Sequence, residues 1–164
     1  MYRIGQSRDV HRLENGRKLV LGTVLIPSEF GAVAHSDGDC LVHAITEAII
    51  GALGKGDIGK FFPDNDEKYK GISSSYFLTE MKMLLQKEQY EIVNIDSTIH
   101  IEKPMMKPHI ENMRQGIASY LGINPTIVNV KATRGEKIGY IGRGEGVEAE
   151  CVVLLKRQTL IKKL

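Results

Sequence analysis

Asp9, His11 and His43 are the residues of this chain whose types and spacing promise chemistry first. Asp9 and His11 flank Val10 in an extended apolar run. In a strand, alternate side chains share a face, so the two project together. His43 falls in the first turn of a helical pattern. One carboxylate and two imidazoles make a three-ligand zinc set with the fourth tetrahedral position left for a substrate atom. Such a centre keeps about one net positive charge, so a phosphate oxygen is its natural fourth ligand. Asp-x-His spacing is common, however, and by itself reads equally well as ordinary strand-edge residues. A second concentration precedes the helix: His35-Ser36-Asp37-Gly38-Asp39. Asp39 is a good N-cap. The helix start behind it, with unpaired amides and partial positive charge, suits an anion such as phosphate.

The elements that must position these groups are readable from periodicity. Tyr2 to Leu13 is a strand, and Leu19 to Ile26 a second apolar strand reached through a Glu14-Asn15-Gly16 turn. Cys40 to Leu53 is helical, with Leu41, Val42, Ile45, Ala48, Ile49 and Ala52 on one face and Gly54 as the stop. Gly56 to Gly59 reads as a polar loop. Ser73 to Lys87 is a helix with Phe77, Leu78, Met81, Leu84 and Leu85 on one face. Glu91 to Ile101 alternates, with Val93, Ile95, Ile99 and Ile101 inward and Asn94, Asp96, Thr98 and His100 outward. Pro108 opens a third helix striped by Ile110, Met113, Ile117 and Leu121, and Gly122 closes it. Ile127 to Thr133 is a strand, Arg134 to Gly146 a Gly-rich turn region, and Val147 to Lys156 the last strand. Strands alternating with helices give an α/β layer fold.

At 164 residues the chain suits one domain, spanning 1–164. A net charge of +2 implies no broad nucleic-acid field, and the basic tail of Lys156, Arg157, Lys162 and Lys163 reads as a solvated end. Cys40 and Cys151 form no paired motif, which fits buried thiols in a reducing compartment such as the cytoplasm. No signal peptide or membrane-length apolar run is expected. Gly54 to Lys60 fits G-x-x-x-x-G-K, but Phe61 stands where a phosphate loop needs Ser or Thr, and the segment follows a helix. Gly142-Arg143-Gly144-Glu145-Gly146 has no helix after it, so a dinucleotide fingerprint fails. No G-x-S-x-G elbow is present.

Several long motifs in order resemble the 2-C-methyl-D-erythritol 2,4-cyclodiphosphate synthase family over essentially the whole chain. They are RIGQSRDVHR from Arg3, AHSDGDCLVHAITEAIIGA from Ala34, GDIGKFFPDND from Gly56, VKAT from Val130 and GRGEG from Gly142. The resemblance implies a mixed β-sheet with helices packed on one side, assembling as a homotrimer around a central channel, with each active site between two subunits. It implies that Asp9, His11 and His43 hold zinc. It places His35 and Ser36 over the erythritol-phosphate part of the substrate, with His35 catalytic. Asp57, Ile58 and Gly59, and Phe62, Pro63, Asp64, Asn65 and Asp66, match further substrate contacts. Glu136 matches the carboxylate for a second metal, magnesium or manganese. Ile101 to Lys107, with Pro104, Met105 and Met106, matches a cytidine pocket built largely from main chain. Tyr140 and Arg143 match the mouth of a channel that takes isoprenoid diphosphates.

The implied reaction is attack of a 2-phosphate on the β-phosphate of a cytidine diphosphate within one molecule, releasing CMP. The nucleophile is already an anion, so positioning and charge neutralisation suffice. The residues agree, since they offer metal ligands and no triad. Three departures from the family pattern stand out. Ser7-Arg8 replaces a usual Gly-Phe pair, Met105 a usual lysine, and Arg134-Gly135 a pair of threonines after Thr133. Arg134 falls at a position counted as catalytic and, with Gly135, at the diphosphate. The alternatives are a zinc phosphohydrolase and a trimeric isoprenoid-diphosphate-binding paralogue with a weakened site.

Overall fold

The computed structural model describes residues 1–63 and 65–158, so Asp64, Lys162 and Lys163 lie outside the described residues. In chain order the elements are β1 (Tyr2–Asn15), β2 (Leu19–Leu21), β3 (Val24–Ile26), β4 (Phe30–Ala32), α1 (Cys40–Ala52), α2 (Ile58–Phe61), α3 (Ser75–Glu88), β5 (Tyr90–His100), α4 (Ile110–Leu121), β6 (Val128–Thr133), α5 (Gly139–Gly142) and β7 (Gly146–Arg157). Five strands form one mixed sheet in the order β4-β1-β7-β5-β6. β5 and β6 are parallel, joined by the α4 crossover, and the other pairs are antiparallel.

The core lies between one sheet face and the helices. Val147, Ala149, Cys151, Val153 and Leu155 of β7 are buried against it, as the alternation of that strand requires. α1 is buried almost all round and packs on β1 and β7. Its approach is set at Gly5, where a Cβ would lie 1.9 Å from the Ala48 carbonyl oxygen. That contact of backbone on backbone brings the first turn of α1 beside the middle of β1. The opposite sheet face carries Ile4, Val10 and Val152, exposed by 71, 50 and 40%. The expected mixed sheet with packed helices is therefore present.

Three expectations need correction, and one strand was not anticipated. Leu19 to Ile26 is a hairpin rather than one strand. Gly22 and Thr23 turn it with φ of 57 and 69°, and both amides donate to the Asp39 carboxylate, at 2.8 and 2.6 Å. β4 pairs with the end of β1, although its three residues carry no alternation long enough to read. In β5 the register shifts between Ile92 and Asn94. That bulge puts Ile92 inward and leaves Val93 only part-buried, so the alternation changes phase. Finally, Ile58 and Gly59 belong to a one-turn helix, capped by Asp57 through the Lys60 amide at 2.9 Å.

Candidate functional site

β1 and α1 bring the three expected donors together. Asp9 Oδ2 lies 2.9 Å from His11 Nε2 and 3.1 Å from His43 Nδ1, and the two ring nitrogens are 3.2 Å apart. All three side chains are part-buried. The far nitrogen of His43 is held by two hydroxyls, Ser36 Oγ at 3.1 Å and Ser74 Oγ at 3.0 Å. Ser74 in turn bonds to the Asp37 carboxylate. A carboxylate only accepts, so the Ser74 proton goes to Asp37 and its oxygen accepts from His43 Nε2–H. His43 Nδ1 then turns its lone pair towards Asp9 and His11. Lone pairs converging on one point repel unless a cation or a shared proton sits among them, so the donor set and its outer contacts fit a metal ion.

The electrostatics agree with that fit. For Asp9, burial works against the carboxylate, but the adjacent imidazoles of His11 and His43 outweigh it and hold the pKa well below the ordinary range. For His11, burial opposes the charged ring, and the adjacent Asp9 overcomes it, raising the pKa. The Cys40 thiol, beside the Asp9 carbonyl at 3.0 Å, is pushed far up by burial and is no ligand.

The start of α1 is not open to an anion. Asp39 is fully buried and already caps it through the Val42 amide at 3.0 Å. The same carboxylate ties down the β2–β3 turn, so the expected anion seat is filled from within the chain. His35 instead reaches the Asp66 carbonyl at 3.3 Å. Asp66 caps a short turn through the Lys68 amide at 2.9 Å, and Asn65 beside it is exposed. Phe62, next to Pro63, stacks on Phe77 at 4.5 Å within a cluster that includes Tyr69 and Tyr76. Phe77 also meets the His43 ring, at 5.6 Å.

A cavity of about 1000 Å³ lies at the ends of β5 and β6. Ile101 to Lys107, including Pro104, Met105 and Met106, form one wall, and Thr133, Arg134 and Glu136 the other. Gly135 donates its amide to Glu102 Oε2 at 3.0 Å, linking the two walls. Arg134 and Glu136 are mostly exposed and only 3.5 Å apart. Ser28, Glu29 and Phe30 add a third wall that the sequence did not indicate, because β4 was invisible there. Tyr140 and Arg143 do not line this cavity: Tyr140 contacts Arg8 and Glu148, and Arg143 pairs with Glu145 at 2.7 Å. Ser74 was also missed, since nothing local marks a serine that reaches His43 across 31 positions.

Residues 2–156 match the YgbB family. The chain belongs to the YgbB family. It is 51% identical over 158 residues to the 2-C-methyl-D-erythritol 2,4-cyclodiphosphate synthase of Fusobacterium nucleatum, covering 96% of this chain and 99% of that one. A 2C-methyl-D-erythritol-2,4-cyclodiphosphate synthase solved in a CDP-bound form superposes with a TM-score of 0.86 at 35% identity, over 94% of this chain and 100% of that one. The bifunctional IspDF of Campylobacter jejuni superposes with a TM-score of 0.92 at 39% identity, over 96% of this chain and 43% of the longer protein. Among the described residues, no helix of this YgbB-family chain is long and apolar enough to cross a membrane.

Proposed function

We propose that the chain converts 4-diphosphocytidyl-2-C-methyl-D-erythritol 2-phosphate to 2-C-methyl-D-erythritol 2,4-cyclodiphosphate and CMP, a phosphorus–oxygen lyase step in isoprenoid precursor synthesis. The observation that carries this reading is the triangle of Asp9, His11 and His43 donor atoms, with edges of 2.9–3.2 Å, in a family whose relatives bear that name. A tetrahedral zinc with bonds of about 2.0–2.1 Å separates its ligands by roughly 3.3 Å, close to that triangle. Zinc is therefore the ion assigned to these residues. Glu136, an exposed carboxylate, would suit a magnesium or manganese ion. When bound, the ions neutralise charge on the phosphates and polarise the phosphorus under attack.

The chain's own groups do the positioning. Ile101 to Lys107 hold the cytidine, largely through main chain. Thr133 donates a hydroxyl at the diphosphate, and Arg134 replaces a hydroxyl there with a charged fork suited to phosphate oxygens. His35 and Ser36 lie over the erythritol phosphate, and Asp57 to Gly59 with Phe62, Pro63, Asn65 and Asp66 close the remaining side. One catalytic domain spans 1–164. The apolar sheet face at Ile4, Val10 and Val152 supports a homotrimer in which the metal triad of one copy meets the pocket of the next. Tyr140 and Arg143 then stand near a central channel able to take an isoprenoid diphosphate. Buried free thiols at Cys40 and Cys151 support a cytoplasmic setting.

Metal content and CMP release on the purified chain test this reading. The expected result is about one zinc per chain and CMP formed from the cytidyl substrate. A zinc-free chain with full activity would refute the metal assignment, and absence of CMP would refute the reaction.

A further inference from the structure

Arg8 stands immediately before the metal ligand Asp9, but its side chain points to the other face of β1. There its guanidinium makes a fork on Glu148, Nε to Oε1 at 2.7 Å and a terminal nitrogen to Oε2 at 2.7 Å. The same nitrogen donates to the Tyr140 hydroxyl at 2.9 Å, and that hydroxyl donates to Glu148. The Glu148 side chain is only 8% exposed, so its charge depends on this pairing.

Tyr140 belongs to α5, and α5 touches the pocket edge without any side chain between them. A Cβ on Gly135 would lie 2.3 Å from the Gly142 nitrogen, and a Cβ on Gly142 would lie 2.4 Å from the Lys137 carbonyl carbon. The Ile138 amide donates to the Gly135 carbonyl at 2.8 Å. Between them Glu136 and Lys137 adopt φ of 50 and 63°, a left-handed backbone that persists in non-glycine residues only where the surroundings impose it. On its other side Gly135 is held by Glu102. The segment bearing Thr133, Arg134 and Glu136 is thus gripped between the Glu102 wall and α5.

We propose that Arg8 is a positioning residue for the pocket: by clamping Tyr140 and Glu148 it fixes α5, and through the Gly142–Gly135 contact it sets the Thr133–Glu136 edge that meets the nucleotide diphosphate. The proposal rests on the reading of this cavity as a cytidine-nucleotide site. It also links two departures, since Gly135 packs against the Gly142 nitrogen and Arg8 bonds to Tyr140 of the same short helix. Neighbouring Ser7 finds its own partner on the other face, Glu47 Oε2 at 2.9 Å.

The test uses the full-length, metal-loaded chain with CDP as probe, in Arg8→Ala, Arg8→Lys and Tyr140→Phe. CDP affinity should fall about three- to tenfold in Arg8→Ala, the range expected when a contact acts through others. Tyr140→Phe, which removes one hydroxyl and should fold, should show a smaller loss, and Arg8→Lys should recover part of the Arg8→Ala loss. Amide exchange across residues 135–142 should quicken in Arg8→Ala and Tyr140→Phe, and the metal content should stay at the wild-type level. Unchanged CDP affinity in both variants, with lowered thermal stability alone, would overturn the positioning role. Metal loss in Arg8→Ala would also overturn it, because the effect would then run through Asp9. Failure of the wild-type chain to bind CDP would overturn the nucleotide reading beneath it.

Discussion

The metal triad and the cavity at the ends of β5 and β6 are built in opposite ways. The triad uses side chains on regular elements, and the far nitrogen of His43 is held by Ser36 and Ser74. The cavity uses main chain and loop residues, and its charged groups are exposed, Arg134 by 64% and Glu136 by 74%. A preorganised donor set can bind its ion in the isolated chain. An open wall with loosely paired charges gains order from a ligand or from a second copy of the chain.

The strongest way to break this contrast is His43→Ala. It should remove most of the metal and lower activity about a thousandfold or more, the scale of losing metal assistance to charge stabilisation, while the chain stays folded. Elemental analysis showing full zinc retention would sink the assignment. Ser74→Ala leaves all three donors and removes only a hold on His43. Loss of such an outer contact costs about 10–100-fold in metal affinity, measurable by chelator competition. Retained wild-type affinity would show that the triad does not depend on its outer contacts.

On the cavity side, Arg134→Ala should lower activity about tenfold, since a hydrogen bond to a charged group is worth about 1.5–3 kcal/mol. Arg134→Thr should lose less. Equal activity in wild type and Arg134→Ala, at substrate well below saturation, would mean the side chain stays in solvent. The smallest effect concerns acid. Burial opposes ionisation of Glu148, but Arg8 and Tyr140 overcome it, so its pKa lies below 4.5. A lowered carboxylate contributes stability that is full above the unfolded value and is lost as pH falls through the folded one. The stability gap between wild type and Glu148→Gln should therefore be widest above pH 4.5 and close on acidification. A gap that is flat with pH would mean that Glu148 gains nothing from its partners.

The same division decides what could be read from sequence. Asp9, His11 and His43 were legible because a two-residue period and a first helical turn are local facts, and the burial of β7 followed its alternation. Val93 was misplaced because a bulge changes the phase of a strand without leaving a turn residue behind. The β2–β3 hairpin was hidden in a continuous apolar run, and its turn is fixed by Asp39, which lies beyond β4. The same carboxylate closed the helix start that sequence reasoning left open for phosphate. Ser74, Glu148 and the Phe30 wall act across the fold, where spacing along the chain carries no signal. The motif resemblance, in contrast, named the cavity residues Ile101 to Lys107 and Thr133 to Glu136, which no periodicity would have singled out.

The most direct test of the whole account is phosphorus NMR of the products formed from 4-diphosphocytidyl-2-C-methyl-D-erythritol 2-phosphate by the zinc-loaded chain with magnesium. The account predicts CMP together with a cyclic diphosphate, in equal amounts. CMP accompanied by linear phosphates would make the chain a hydrolase, and unchanged substrate would make it a binding protein; either result would contradict the account.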